Sequence, residues 1–464
     1  MSGFSAVVTT GIYCREGCAA RPHPDNVREF STAAAAEAAG FRACMRCRPY
    51  RTQPPMSWSA PELVCRAVQL VLDGALDGDT ERQLGSRLGI SARHLRRLFD
   101  EHLGVTPDQL ARSRRAHFAR RLLDDTDLTI TQIAFASGFG SIRQLNRTSQ
   151  EVFRATPGEL RARRRVTDRL IADGGLTLRL AYQPPLEWQG MLGYFRSRAI
   201  AGVEHVSTDT YRRTITIDGD PGVIELSAGS PDHLLLRAHL PHWEGLIHVV
   251  QRARRIFNLD ADLDPAERRL EGDPIIGPLI QARPGLRPPG TWDAFETGVR
   301  AIIGQHVSVA SANTITMRVV ERHGTLVPGL REFGLTHLFP RPEILATADL
   351  GDLGLTTARA HAINAFAAAV IDRRIGLDRS RSMDELVASI TATAGLGPWT
   401  AHYLALRLGE PNAFPATDLG LRRALAHAID ASAASRSITG PRANELADRW
   451  QPYRAHAAIH LWLR

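Results

Sequence analysis

The apolar positions change period several times along the chain, and each change marks a different kind of element. Leu386, Val387 and Ile390 recur at helical spacing, after which Gly395-Leu396-Gly397 breaks the pattern. Pro398 has the fixed φ and missing N–H that suit the first position of a new helix. Trp399, Tyr403, Leu404 and Leu406 carry that helix to Gly409. Two helices joined by a glycine tip can bring bare backbone N–H groups close to a phosphate. A loop then delivers Asp418 just before a helix predicted over Leu419–Ile429. Asp is a favoured N-cap residue, so position alone makes Asp418 a cap.

Upstream, residues 60–163 read as helical and Arg-rich. Within them a helix runs to a turn at Gly89, and Ser91 caps a second helix. About fifty residues on, the pattern repeats, with a turn at Gly138–Gly140 and a helix from Ser141. From Leu176 to His242 the period shortens to alternation, in LTLRLAY, YRRTITID, GVIELSAG and HLLLRAHL, which predicts strands. Helical spacing returns with HWEGLIHVVQRARRIF and dominates residues 275–464. Residues 53–59 read as a linker, and 164–177 as a domain boundary. Four domains follow: 1–52, 60–165, 176–285 and 286–464. The fold class is multidomain and mainly α with an α+β block: a small metal domain, tandem helix-turn-helix units, an antiparallel-sheet domain and a helix-hairpin-helix domain.

Composition adds a partner. The formal net charge is +8 and the pI about 9.7, a balance suited to nucleic acid. All 57 cationic side chains are Arg, so no lysine is present to form a Schiff base. No apolar run approaches the roughly 18–20 residues of a membrane span, and no signal peptide opens the sequence. Five cysteines, an odd count without an export signal, argue for a reducing cytoplasm rather than a disulfide framework.

Four of those cysteines lie in the first 52 residues as C-x3-C and C-x2-C: Cys14, Cys18, Cys44 and Cys47. Two close pairs that fold together make a tetrahedral thiolate site for Zn²⁺, and so short a segment needs metal to supply folding energy. Most sites of this kind are structural staples. Cys65, in an apolar helical stretch, reads as a buried core thiol.

The wording of these stretches carries resemblances that cover nearly the whole chain. Gly-Leu-Gly-Pro-Trp-Thr-Ala at 395–401, with Pro415 and Asp418 downstream, resembles the helix-hairpin-helix DNA glycosylases, above all the AlkA-type 3-methyladenine enzymes. QPPLEWQGMLGYFRSRA, GQHVSV and the closing WQPYRAHAAIHLWLR resemble further parts of that family. The resemblance implies that Gly395 and Gly397 grip DNA and that Asp418 assists cleavage of the glycosidic bond. It implies a base pocket of Trp399, Tyr403, Trp462 and Tyr194. It also implies that His306, with Gln305 beside it, wedges into the duplex where the base leaves. Trp399 stands where strand-cutting relatives carry their lysine.

TTGIYCREGCAARP and GFRACMRCRP resemble the zinc domain of Ada-type methylphosphotriester repair proteins. That family implies that Cys14 takes a methyl group irreversibly from a DNA phosphotriester. The family usually carries further residues before this motif, which here stands almost at the first residue, so the expectation is either a trimmed domain or a misassigned start. A-x-x-x-G-F with a T-P-x-x-L tail resembles AraC-type DNA-binding domains, in which each second helix enters a major groove. Arg93, Arg96, Arg97, Arg143, Gln144 and Arg147 are then the exposed residues expected to contact DNA, mostly at phosphates. No Pro-Cys-His-Arg motif is present, so O6-alkylguanine repair is not expected.

Together these features predict an alkylation-repair and response protein. Its partners would be damaged and promoter double-stranded DNA and the transcription machinery, at the bacterial nucleoid, with no membrane. The aromatic side chains would hold a cationic base by cation–π attraction, and Asp418 would offset the sugar cation. The alternative is a non-enzymatic regulator whose glycosylase block has lapsed.

Overall fold

Hydroxyl side chains mark the starts of six helices in the Arg-rich block. Thr80, Thr106, Thr129 and Thr156 each cap a helix and form a reciprocal capping box with the residue three positions on. Ser91 and Ser141 cap the helices Ala92–Leu103 and Ile142–Phe153. The sequence therefore encodes one helical unit twice: Glu81–Arg87 then Ala92–Leu103, and Ile130–Ala136 then Ile142–Phe153. The long helix Pro107–Asp125 lies between the two repeats in the chain. Leu84, Leu95 and Phe99 fill the first unit's core, and Ile133, Leu145 and Val152 are buried in the second.

The computed structural model describes residues 3–20, 22–51, 60–165, 168–170, 175–429 and 437–464. The linker expected at 53–59 lies outside the described residues, as does part of the boundary expected at 164–177. Contacts divide the chain into two units, Met1–Gln183 with His233–Arg252, and Pro184–Asp232 with Ala253–Arg464.

In the first unit, a four-stranded sheet precedes the helices. Its order is Val27–Phe30, Phe4–Val7, Ile12–Arg15, Arg42–Ala43, antiparallel except for the last pair. The helices follow, then the antiparallel pair Leu176–Ala181 and His233–His239. Buried ion pairs tie the sheet module to the long helix. Tyr50 donates to Asp124 at 3.1 Å, and Arg51 reaches Asp124 at 3.2 Å and Asp125 at 3.0 Å.

The second unit opens with the helix Trp188–Arg196 and the antiparallel strands Glu204–Val206, Thr210–Ile217 and Asp220–Ser230. Helices then dominate, around one core that includes Val299, Phe366, Leu404, Leu421 and Trp450. Met383–Thr391 and Pro398–Arg407 form the hairpin expected from the glycine break. Gly395 sits at φ +80, and a Cβ there would come within 2.7 Å of Ala362, so that position demands glycine. Among the described residues, no helix is long and apolar enough to cross a membrane.

Candidate functional site

Asp418 does act as a cap: its Oδ1 accepts from Leu421 N at 3.0 Å, at the start of the helix Leu419–Ile429. Two indoles meet the same carboxylate. Trp399 Nε1 donates to Oδ2 at 3.0 Å, and Trp462 Nε1 donates to Oδ1 at 3.0 Å. The three donors come from the hairpin's second helix, the chain's last helix and the acid's own helix, so the carboxylate cannot rotate freely. A carboxylate offers about four accepting directions. Oδ1 uses two and Oδ2 one, so among the described residues Oδ2 keeps one accepting direction unused.

The predicted pocket aromatics gather around this acid. Trp399 and Tyr403 stack with centroids 5.3 Å apart and planes 13° apart, and Trp462 meets Tyr403 edge-on at 6.1 Å. All three are part-exposed, whereas Tyr194 is only 1% exposed and stands behind Tyr403, its hydroxyl 3.3 Å from that of Tyr403. Arg407, one turn beyond Tyr403, was not singled out by sequence reasoning, although the Tyr-x3-Arg spacing puts both on one helix face. Its Nη1 donates to the Tyr403 hydroxyl at 3.1 Å and approaches that of Tyr194 at 3.5 Å. Its other nitrogens bind the carbonyls of Pro289 and Gly290. Arg198 lies over the Tyr194 ring, 4.0 Å from its centroid.

These charges split the two phenols. Burial raises both, but at Tyr403 the guanidiniums of Arg407 and Arg198 outweigh it and bring the group down to about 8. Burial dominates at Tyr194 and pushes it up to about 12.

His306 is exposed at φ +56, in the turn between Ala294–Gly304 and Val309–His323. Gln305 beside it is turned inward: its Nε2 donates to Thr400 Oγ1 at 2.8 Å, tying that turn to the hairpin helix. Gly397 caps Pro398–Arg407 with no side-chain hydrogen bond, and Gly395 is exposed.

In the first unit, Arg93, Arg96 and Arg97 are exposed on Ala92–Leu103, and Arg143, Gln144 and Arg147 on Ile142–Phe153. Two of the six already have partners. Arg96 pairs with the buried Glu81, and Gln144 accepts from Gly140 N at 3.0 Å.

The four expected cysteines converge, with their sulfurs all within 4.8 Å of one another. Cys14 lies on the strand Ile12–Arg15 and Cys44 directly after Arg42–Ala43, so the parallel pairing of those strands brings the two halves of the motif together. Burial and the nearby Cys44 and Cys47 sulfurs push the Cys14 thiol up. At Cys44 burial is outweighed by backbone N–H donors from Cys47 and Arg46, which pull it down. Four sulfurs this close can all be ionised only around a cation. A tetrahedral Zn²⁺ with bonds of about 2.3 Å sets sulfurs about 3.8 Å apart, a spacing this cluster accommodates.

Comparison with known proteins follows the same division. Residues 2–50 match the family model for the metal binding domain of Ada, and 84–163 that for a helix-turn-helix domain. Residues 177–293 match the AlkA N-terminal domain, and 299–446 the HhH-GPD superfamily of base excision DNA repair proteins. The chain is 39% identical, over 98% of its length and 92% of the relative's, to the Probable bifunctional transcriptional activator/DNA repair enzyme AlkA of Mycobacterium tuberculosis (strain ATCC 25618 / H37Rv). It is 32% identical to DNA-3-methyladenine glycosylase 2 of Escherichia coli (strain K12), over 61% of this chain and 95% of that one. A solved 3-methyladenine DNA-glycosylase from Archaeoglobus fulgidus, 22% identical, shares the fold with a TM-score of 0.53 over 61% of this chain and 97% of its own. With four domain matches in order and a relative matched along nearly its whole length, the chain belongs to the AlkA family of bifunctional transcriptional activators and DNA repair enzymes.

Proposed function

We propose that the chain is a DNA alkylation repair and response protein: a monofunctional glycosylase for alkylated purines of the 3-methyladenine type, joined to a zinc-thiolate methyl acceptor and a DNA-binding transcription regulator. The observation that carries the glycosylase reading is the Asp418 carboxylate, fixed by Trp399 and Trp462 beside the hairpin.

An alkylated purine carries positive charge, so its glycosidic bond is already weak. The base must leave the stack to reach the acid. Trp399, Tyr403 and Trp462 offer electron-rich faces to it, worth on the order of 1–2 kcal/mol each when desolvated. As the C1′–N bond breaks, its electron pair leaves with the base, which becomes neutral. The sugar then carries the positive charge, and Asp418 offsets it. The accepting direction left on Oδ2 takes a hydrogen bond from water, whose oxygen adds at C1′ and whose proton passes to the carboxylate. With no lysine in the chain, no lysine amine is there to form the Schiff base of a strand-cutting lyase. Gly395, Gly397 and His306 would hold and part the duplex.

In the N-terminal module, Cys14, Cys18, Cys44 and Cys47 would hold zinc, which keeps the four sulfurs as thiolates at neutral pH. The Cys14 sulfur attacks the methyl carbon of a phosphotriester. An S–C bond forms, the methyl C–O bond breaks, and the phosphodiester anion leaves. The sulfur becomes a neutral thioether, so one negative charge beside the phosphates disappears and DNA binding tightens. Arg93, Arg97, Arg143 and Arg147 would then carry that binding to promoter DNA, and through it to the transcription machinery, in the bacterial cytoplasm at the nucleoid.

The test is release of 3-methyladenine from methylated duplex DNA, followed by chromatography, for wild type and Asp418→Asn. Release by wild type alone supports the proposal. Release by neither favours the regulator with a lapsed glycosylase block. Mass spectrometry of the zinc-loaded protein after exposure to DNA bearing methylphosphotriesters tests the sensor: an unmodified Cys14 removes it.

A further inference from the structure

Two phenols and a guanidinium meet behind the stacked wall, and their hydrogen-bond count is uneven. Arg407 can only donate. It donates toward both hydroxyl oxygens, Tyr403 at 3.1 Å and Tyr194 at 3.5 Å, while Pro289 and Gly290 carbonyls hold its remaining nitrogens. The two hydroxyls are 3.3 Å apart and share one further bond. The pair has two O–H protons, and that bond uses only one. Among the described residues neither hydroxyl has another acceptor.

Burial decides which proton is left over. Tyr194 is only 1% exposed, so an unused O–H there would carry the full cost of a buried donor without a partner. Tyr403 is part-exposed as a residue, and its ring stacks on Trp399 and meets Trp462 edge-on. The better satisfied arrangement has Tyr194 donating to Tyr403, which leaves the Tyr403 O–H for an acceptor from outside this group.

Resting on the glycosylase reading, we infer that the Tyr403 hydroxyl donates a hydrogen bond to the extruded base, with Arg407 and Tyr194 as positioning residues that fix its direction. The site then favours damaged bases that present a lone pair, on a ring nitrogen or an exocyclic oxygen, to this edge. The ring nitrogens N1 and N7 of 3-methyladenine are such acceptors. A purely aromatic wall would need no O–H and no arginine behind it.

The donor is lost when Tyr403 ionises. The groups that face it are Arg407 on its own helix, Tyr194 and Arg198 from the segment around Trp188–Arg196, and Arg300 from Ala294–Gly304. The guanidiniums favour the phenolate against the cost of burial, which sets the change at about pH 8.

The experiment measures kcat/KM for 3-methyladenine release from methylated duplex DNA between neutral and alkaline pH, for the full chain and three variants. Wild type is expected to lose activity as pH rises past about 8. Tyr403→Phe is expected to fall about tenfold at neutral pH, the size of one hydrogen bond, and to lose the alkaline limb. Tyr194→Phe removes one donor to Tyr403 and should move that limb to higher pH. Arg407→Lys, which keeps a charge but not the fork, should move it as well. If Tyr403→Phe matches wild type in rate and pH profile, the inference fails while the glycosylase reading stands. If Tyr403→Phe does not fold, an unmoved limb in Tyr194→Phe overturns it equally. Absence of release by wild type removes the glycosylase reading and this inference with it.

Discussion

Trp462 donates its indole N–H to Asp418 Oδ1 at 3.0 Å across 44 residues of sequence. Trp399 does the same to Oδ2 from the hairpin side, so the acid is held between two aromatic donors. Asp418→Asn keeps the size of the side chain but replaces one accepting oxygen by an NH2 group, which faces an indole N–H donor to donor. Base release should drop by at least about 100-fold, as when a preorganised electrostatic group is removed. Stability should fall by only about 1–2 kcal/mol, the cost of one unmade hydrogen bond. Chromatography of released bases and thermal unfolding of the same preparation separate the two effects.

Trp462→Phe tests the second anchor. Phenylalanine keeps an aromatic face toward Tyr403 but removes the donor to Oδ1. The carboxylate then keeps only the Trp399 and Leu421 bonds and gains freedom to turn. We expect base release to fall roughly tenfold, with KM changed less than kcat, because the loss concerns the transition state more than the bound base. A variant as active as wild type would show that Trp462 serves the pocket face alone.

Much of this site could be read in the sequence because it rests on local signals. The glycine break, Pro398 and the Asp-initiated helix fixed the hairpin and the helix after Asp418, and the structure places both as expected. The Ser91 cap, the helix start at Ser141 and the glycine turns before them made the tandem helix-turn-helix legible for the same reason. What escaped depends on contacts between distant residues. That both indoles turn their N–H to Asp418 and that Gln305 reaches Thr400 are facts of packing with no periodic trace, and the Tyr-x3-Arg spacing hints at the Tyr403–Arg407 pair but not at Tyr194. Arg96 looked free for DNA because its partner Glu81 lies fifteen residues away on another helix.

Metal removal offers a test of the N-terminal module. With four sulfurs within 4.8 Å, loss of a bound ion would leave mutually repelling thiolates, or thiols bonded weakly to one another and to backbone N–H groups. A strong chelator should release zinc and unfold the four-stranded sheet, seen as loss of protection of the Phe4–Val7 and Ile12–Arg15 amides in hydrogen exchange. Cys44→Ser should lower the zinc content of the purified protein. Full protection after complete removal of zinc would mean that the sheet stands without the ion.

The last helix carries a pair of histidines that tie stability to pH. His456 and His460 are 3% and 2% exposed, with ring centroids 4.9 Å apart. Burial lowers both, and at His460 it outweighs a bond to the Leu279 carbonyl and brings the group down to about 4. A folded-state value below the unfolded one means that the unfolded chain binds more protons between roughly pH 6.5 and 4. Stability therefore holds at neutral pH and is lost as pH falls through that window. His460 alone accounts for roughly 2 kcal/mol by pH 5, at about 1.4 kcal/mol for each unit below 6.5. His460→Leu fills the same buried site without a proton acceptor and should flatten the dependence. Urea unfolding at pH 7 and pH 5 for both proteins reads this directly. An equal loss in the two would show that the acid sensitivity arises elsewhere, for example at the buried carboxylate Glu204, which Arg300 and Arg213 hold below the usual carboxylate range against the cost of burial.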